Sequence, residues 1–501
     1  MAENGMNGHD VAVNQWKVGL MNSEGKYLTA ESFGHKVNAS GVALKKKQMW
    51  ILEQDPADTE NFIYIRSSQN FYMTADKYGE VKVDVEAENK GKDERFTVEY
   101  SSDGKWAFKN VTHRNYLSGL GDQVKCFNRT PEKNNWWSIQ LYAHPQIHLR
   151  NVKRKRCANL NMDTSELECS KNTPWGSDAT VLLEFDEGKY TLKSCDNRYL
   201  SCDGPLEEDA SDKTKYCMEM HSGCLAFKDC NGRYLTAVGK GSMKGKNKTI
   251  TKDELFTIDD SHPQCQIISH NDKSVSVKQG LDVTANQPKE EIGETEIFQM
   301  EYNKASDTWA FRASTEKYWA LQDDTGTVQA KQAEPTKNCY FTIDWQDDGT
   351  VGIKGPDGKY LSNKPTGILY STGTDLQDVN KFRILVTNLP QLVLKSEFGF
   401  VGTNPKETQY ICNKTKYDML QVTPDTDGTY TIKNKNGKSW YVGDDSMVYL
   451  DENRSTKFKF QFCGNAMMAI RAPNGCFLKG EQNGLFKATA EDISSSSLWE
   501  F

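Results

Sequence analysis

Apolar and polar residues alternate with period two through most of the chain, in short runs separated by turns rich in Gly, Asn and Asp. No long stripe of helical period interrupts them, so β-strands are expected throughout. One pattern recurs: a turn, two or three aromatic or aliphatic residues, then a small polar pair. It reads Gly25-Lys26-Tyr27-Leu28-Thr29-Ala30, Asn70-Phe71-Tyr72-Met73-Thr74-Ala75 and Arg114-Asn115-Tyr116-Leu117-Ser118-Gly119, and returns around Tyr199, Tyr234, Tyr318, Tyr360 and Trp440. Weaker copies surround Cys157, Ser274, Phe400 and Phe477, for twelve in all. Many copies follow a strand of the type Gly104-Lys105-Trp106-Ala107-Phe108-Lys109, through turns such as Asp229-Cys230-Asn231-Gly232 and Asn434-Lys435-Asn436-Gly437 that suit a hairpin. Others close with alternating strands such as Phe256-Thr257-Ile258-Asp259 and Phe341-Thr342-Ile343-Asp344.

The anchor positions lie 35 to 45 residues apart, a spacing shared by propellers and other repeat architectures. Twelve blades exceed the usual four to eight, and the Gly-His and Trp-Asp signatures of the commonest propeller are missing. Three units of about four strands closing one barrel divide the chain instead into four all-β domains, each a β-trefoil of three β-hairpin units. His144-Pro145, His262-Pro263 and Leu389-Pro390 each follow a third unit, where Pro suits a connector or strand start. The expected domains are 11–143, 144–262, 263–388 and 389–501, joined by very short linkers.

Composition narrows the class. The 501 residues include 11 Trp, 21 Tyr and 21 Phe, too aromatic for a disordered polyampholyte, and a mean hydropathy of -0.72 fits several small cores better than one large one. No run approaches the length of a membrane span, and MAENGMNGHD lacks the basic and apolar regions of a secretory leader, so neither membrane insertion nor secretion by that route is expected. The 13 cysteines, odd in number and scattered from Cys126 to Cys476, suit reduced cytosolic thiols better than a disulfide framework. Asn-x-Ser/Thr matches at Asn38, Asn110, Asn128, Asn247, Asn413 and Asn453 are then chance composition. A net charge of -7 repels polyanions, which argues against nucleic acid and requires any anionic partner to meet local basic patches.

The stretches Gly19 to Asn22, Lys26-Tyr27-Leu28-Thr29-Ala30-Glu31, Phe33 to Ser40 and Leu44-Lys45-Lys46-Lys47-Gln48-Met49-Trp50 resemble the fascin family. So do Lys252 to Phe256, Cys339 to Phe341, Phe398 to Gly402 and the closing Ser497 to Phe501, so the resemblance spans essentially the whole chain. It implies four tandem β-trefoils in a monomeric, cytoplasmic protein without cofactor, which crosslinks filamentous actin into tight parallel bundles in filopodia and microvillus-like protrusions. Basic clusters stand out from the acidic average: Lys45 to Lys47; Arg150 with Lys153 to Arg156; Lys240, Lys244, Lys246, Lys248 and Lys252; and Lys433, Lys435 and Lys438. A charge run is ordinarily a solvated face. By resemblance, one actin-binding surface comprises Lys26 and Lys45, Lys46 and Lys47, facing the last domain around Lys406, Arg471 and Lys479. Others involve Lys105 and Arg114; His144, Gln146, Arg154, Lys155 and Arg156; and Lys273 with Lys359. Vertebrate members carry a regulatory serine before Leu-Lys-Lys-Lys, whereas this chain has Ala43; Ser40 is the nearest phosphorylation candidate.

Other chemistry reads weakly. Cys217, His221, Cys224 and Cys230 match no zinc spacing and span an expected hairpin, so no metal is expected. Pro145 argues against a helix that would pair His144 with His148. Gly239 to Asn247 imitates a phosphate loop without its glycine spacing and reads as a mobile basic loop. Asp347-Asp348 and Asp444-Asp445 sit beside turns, where Asp bonds local backbone. No nucleophile elbow or Cys/His signature appears, so no enzymatic activity is expected. The rival reading is a glycan-binding β-trefoil lectin, since Gln48-Met49-Trp50 echoes a lectin Gln-x-Trp, although only one copy exists.

Overall fold

The computed structural model describes residues 15–54, 62–406 and 408–501. Positions 11–14 of the expected first domain lie outside them. Among the described residues there are strands and three-residue 3₁₀ turns but no α-helix, as the period-two pattern dictates.

The first twelve strands build one β-trefoil. Six of them, Gln15–Met21, Trp50–Gln54, Ile63–Ser67, Arg95–Tyr100, Trp106–Asn110 and Ser138–Leu141, form an antiparallel barrel. Reciprocal 2.8 Å backbone bonds between Trp106 and Trp137 close it. Three hairpins cap one end: Tyr27–Ala30 with Val37–Gly41, Tyr72–Ala75 with Val81–Val85, and Tyr116–Leu120 with Gln123–Asn128. They bond one another around the pseudo-threefold axis, Ala39 N donating to Gly121 O (2.7 Å), Cys126 N to Gly79 O (2.9 Å) and Val83 N to His35 O (3.2 Å). Closure leaves the barrel without the unpaired edges that invite aggregation.

The plan repeats three times, over strands from Gln146 to Asp259, Gln264 to Val386 and Gln391 to Glu500. Tyr190 with Tyr216, Trp309 with Phe341 and Tyr430 with Phe458 make the closing backbone pairs. The chain is therefore four tandem β-trefoils of three hairpin units each.

A polar clamp recurs between barrel and cap. A barrel carboxylate takes the hydroxyl of the anchor tyrosine while a cation from the next strand joins it. Tyr72 Oη donates to Glu53 (2.7 Å) beside Arg66, Tyr234 Oη to Glu219 (2.8 Å) beside Lys228, and Tyr318 Oη to Glu301 (2.8 Å) beside Arg312. Each carboxylate sits at the barrel rim, where these bonds offset its desolvation.

The chain forms two compact units, one holding residues up to 174 together with 178–259, the other 175–177 together with 260–501. In the first, the main apolar core runs through both trefoils, with smaller clusters around Tyr234 and Tyr72 beside it. Buried Tyr190 ties them, its hydroxyl donating to Ile139 O and accepting from Leu141 N, each at 2.8 Å. Trp106 Nε1 donates to Met218 O (2.9 Å) and Tyr100 Oη to Met220 O (2.7 Å) across the same seam. The second unit also has one continuous core, and Tyr430 repeats the device on Ile384 O (3.1 Å) and Val386 N (2.9 Å).

Candidate functional site

Each cap hairpin is reached through a turn in which the residue two before the anchor tends to adopt positive φ: 73° at Gly25, 59° at Arg114, 54° at Lys155, 62° at Asp272 and 76° at Gly358. A Gly or Asn takes this conformation at little cost, whereas Arg114 and Lys155 do so under strain. Buried asparagines hold both turns. Asn110 O accepts from Arg114 N and Asn151 O from Lys155 N, each at 2.9 Å, while their side-chain oxygens accept from His113 N and Arg154 N. The side chains of Arg114 and Lys155 are thereby held out in solvent. Lys26, Lys273 and Lys359 occupy the next position of the same turn in other repeats, and Arg156 holds it in the repeat of Lys155. Six of the expected contact residues thus fall at two adjacent positions of one recurring turn. Sequence reading took them singly and missed the shared level, which also holds Arg198, Lys317 and Lys438.

These cations differ in freedom. Lys273 and Lys359 are exposed, while Arg154 is committed to Ala237 O (3.1 Å) and Gly239 O (2.7 Å), and Arg156 bonds Asn172. Arg150 of the same cluster is held by Asp259, bidentate at 2.6 to 3.0 Å, which fixes the strand rather than offering charge. Lys105 pairs with Asp103 (2.7 Å) on a groove of about 330 Å³ that Lys133 and Trp136 also line. In the second unit, Lys406 is exposed, Lys479 half-buried, and Arg471 pairs with exposed Asp347 at 2.5 Å.

The first lysine cluster forms a 3₁₀ turn, Lys46–Gln48, entered at Lys45. Gln48 caps it, accepting from Lys45 N (3.3 Å) and donating to Thr29 Oγ1 (3.1 Å). All three lysines are exposed, with Lys47 3.6 Å from Glu31 on the adjoining hairpin. The tip of that hairpin carries Phe33, 89% exposed. Ser40 lies on its return strand, exposed, with its hydroxyl donating to Asn38 Oδ1 at 2.7 Å. The same contacts remove a sugar pocket at this triad: Gln48 is engaged in the cap, and Trp50 is 0% exposed with Nε1 donating to Leu28 O.

The structure bears on three further expectations. His144 and Gln146 are each 8% exposed, and Gln146 N donates to His144 Nδ1 (3.3 Å), so they brace the start of the second barrel and offer little surface. The stretch read as a mobile loop instead contains the strand Ser242–Asn247, paired with Tyr234–Val238, because Met243 alternates inward among the lysines. Gly245 is required there, since a Cβ would lie 2.2 Å from Asp229. The Cys217, His221, Cys224 and Cys230 group disperses along a hairpin: His221 pairs with Glu219 (2.9 Å), Cys224 faces Ser222 O, and Cys230 sits in the following turn. Among the described residues no cluster of three or more potential metal ligands forms. Asp348 and Asp445 accept backbone N–H of Thr350 and Met447, the local role expected of them. No helix among the described residues is long and apolar enough to cross a membrane.

Closed barrels, hairpin caps and fused pairs define a tandem β-trefoil protein that presents cations from its turns. The family profile of the fascin domain matches residues 24–139, 147–258, 270–384 and 397–501. Fascin-2 of Bos taurus is 38% identical over 100% of both chains, and fascin of Strongylocentrotus purpuratus 36% identical over 97% of this chain and 99% of its own. Fascin-3 of Mus musculus is 24% identical over 97% of each. A designed three-fold symmetric protein of known structure covers 24% of this chain and 97% of its own at 12% identity, with a TM-score of 0.22. The chain belongs to the fascin family.

Proposed function

We propose that this protein binds filamentous actin and, as a monomer in the cytoplasm, crosslinks it into the tight parallel bundles of filopodia and microvilli. What supports this most is full-length membership of the fascin family together with exposed cations on both compact units. A monomeric crosslinker needs at least two surfaces, because one binding face decorates a filament without joining two. Actin filaments are polyanionic, so lysines with few competing carboxylates are the groups a filament engages first. The proposed contact cations are Lys26, Lys45, Lys46, Lys47, Lys105, Arg114, Lys155 and Arg156 in the first unit and Lys273, Lys359, Lys406, Arg471 and Lys479 in the second; of these, Lys47, Lys105 and Arg471 would have to exchange Glu31, Asp103 and Asp347 for the filament. His144, Gln146 and Arg154 belong to the same proposed surface, with His144 and Gln146 little exposed and Arg154 bound to its own turn, so that they would support the contact more than make it. Ser40 is the phosphorylation candidate, and domain limits at 11–143, 144–262, 263–388 and 389–501 complete the reading.

The test is sedimentation with actin filaments, at low speed for bundles and at high speed for binding, alongside analytical ultracentrifugation of the protein alone. Bundles pelleted by a monomer are expected. Failure to co-sediment at either speed rejects the actin reading, and an obligate dimer removes the need for two surfaces per chain.

A further inference from the structure

Most of the 13 cysteines are buried, and Cys230 is exposed, in the turn Asp229-Cys230-Asn231-Gly232 between two strands of the second trefoil. Buried Cys202 approaches this turn from the loop after Tyr199–Leu200. Its sulfur accepts from Asn231 Nδ2 at 3.7 Å and from Arg233 Nη2 at 3.8 Å, the residues just beyond Cys230. Cys230 thus sits in the chain between Asp229 and the Asn231 side chain that reaches the Cys202 sulfur, close enough for its own thiol to push that of Cys202 upward. Both loops are anchored: Cys202 N donates to Lys213 O (2.8 Å), Gly245 N to Cys202 O (2.8 Å), and Asp229 N to Arg233 O (2.7 Å). Arg233, paired with Asp203 and Asp229, joins the two loops by charge.

We infer that Cys230 and Cys202 form an oxidation site, in which a hydroperoxide converts this adjacent thiol pair into an intrachain disulfide. The exposed Cys230 thiolate attacks a peroxide oxygen; an S–O bond forms, the O–O bond breaks, and the departing oxygen leaves as water, giving a sulfenic acid. Cys202 then attacks the Cys230 sulfur. The S–S bond forms, the S–O bond breaks, and the hydroxyl leaves with the Cys202 proton as a second water. Two thiols lose two electrons and hydrogen peroxide gains them. The roles follow from position: burial and then the Asp203 carboxylate push the Cys202 thiol up to about 11, so it serves as the resolving partner. The pairing differs from Cys157 and Cys169, whose burial on neighbouring strands denies an oxidant access.

The full-length protein treated with hydrogen peroxide, then denatured, alkylated and digested without reductant, should yield one cross-linked peptide pair joining Cys202 to Cys230. Dithiothreitol should restore both free thiols. Cys230→Ser, a change at an exposed position, should abolish the link, and Cys202→Ser should leave Cys230 as a sulfenic acid captured by dimedone. If Cys202→Ser does not fold, Cys230→Ser and the peptide map decide alone. Cys230 remaining a thiol, or passing to sulfinic acid without any link to Cys202 in the parent protein, overturns the inference.

Discussion

Arg114 and Lys155 hold a backbone conformation that glycine adopts more readily, and the repeats show the alternative directly, with Gly25, Gly232, Gly358 and Gly437 at the same place. A side chain kept there against a strain of about 1 kcal/mol suggests selection for its charge. Arg114→Gly and Lys155→Gly should leave the thermal midpoint unchanged or slightly raised while weakening actin bundling in low-speed sedimentation. Lost bundling with a lowered midpoint would mean that the side chains brace the turn instead. Glu219 poses the converse case. Burial opposes its ionisation, but hydrogen bonds from His221, Lys228 and Tyr234 outweigh burial and hold the carboxyl below its ordinary range. A depressed native pKa gives stability that is complete above the unfolded value, near ~4.3, and lost as pH falls through the folded one. The gap in thermal midpoint between the parent and Glu219→Gln should therefore be constant down to about pH 5 and close below about pH 4. A gap that persists in acid would show that the charge is not what stabilises the clamp.

At the scale of elements, the first hairpin and the 3₁₀ turn beside it form one functional piece, since Gln48 binds Thr29 and Lys47 approaches Glu31. A phosphate on Ser40 adds about -1.5 to -2 charge units to the exposed return strand, where it can pair with Lys45 to Lys47 and withdraw them from a filament. Ser40→Glu and Lys46→Glu should both reduce bundling while high-speed sedimentation retains residual binding through other surfaces. Full bundling by Ser40→Glu beside failure of Lys46→Glu would assign the patch to binding but deny Ser40 the switch. The seam between trefoils is tested at Tyr430. Tyr430→Phe strands Val386 N and Ile384 O in the core, and each loses the partner that offset its burial. A cost of about 1–3 kcal/mol is expected in denaturant unfolding; no loss would mean that water or a backbone shift satisfies both groups.

For the whole molecule, the acidic average and the basic turns act together. With a net charge of -7, attraction to a polyanion must come from near contacts, which salt screens once the Debye length falls below the reach of a lysine. Bundling should weaken as ionic strength rises from about 0.05 M to about 0.3 M, where the Debye length is below ~8 Å. Indifference to salt would shift the weight to apolar contacts, for which exposed Phe33 beside the lysine hairpin is the first residue to substitute.

The β class, the twelve repeats and their grouping into four trefoils were legible in the order of residues. Strand period and turn chemistry are local, and three hairpin units are what a closed barrel of this kind requires. The basic clusters were legible too, as composition. Which of those cations are free was decided only by tertiary structure: Arg150 and Arg154 look like Lys155 in sequence, yet Asp259 and the Ala237 and Gly239 carbonyls that occupy them come from about a hundred residues away. The same holds for His144 and Gln146, buried by the barrel they open, and for Ser242–Asn247, whose lysines suggested a loop until cap pairing turned Met243 inward. Local pattern fixes what each segment can become; long-range pairing decides which side chains keep their charge free for a partner and which are consumed in holding the fold.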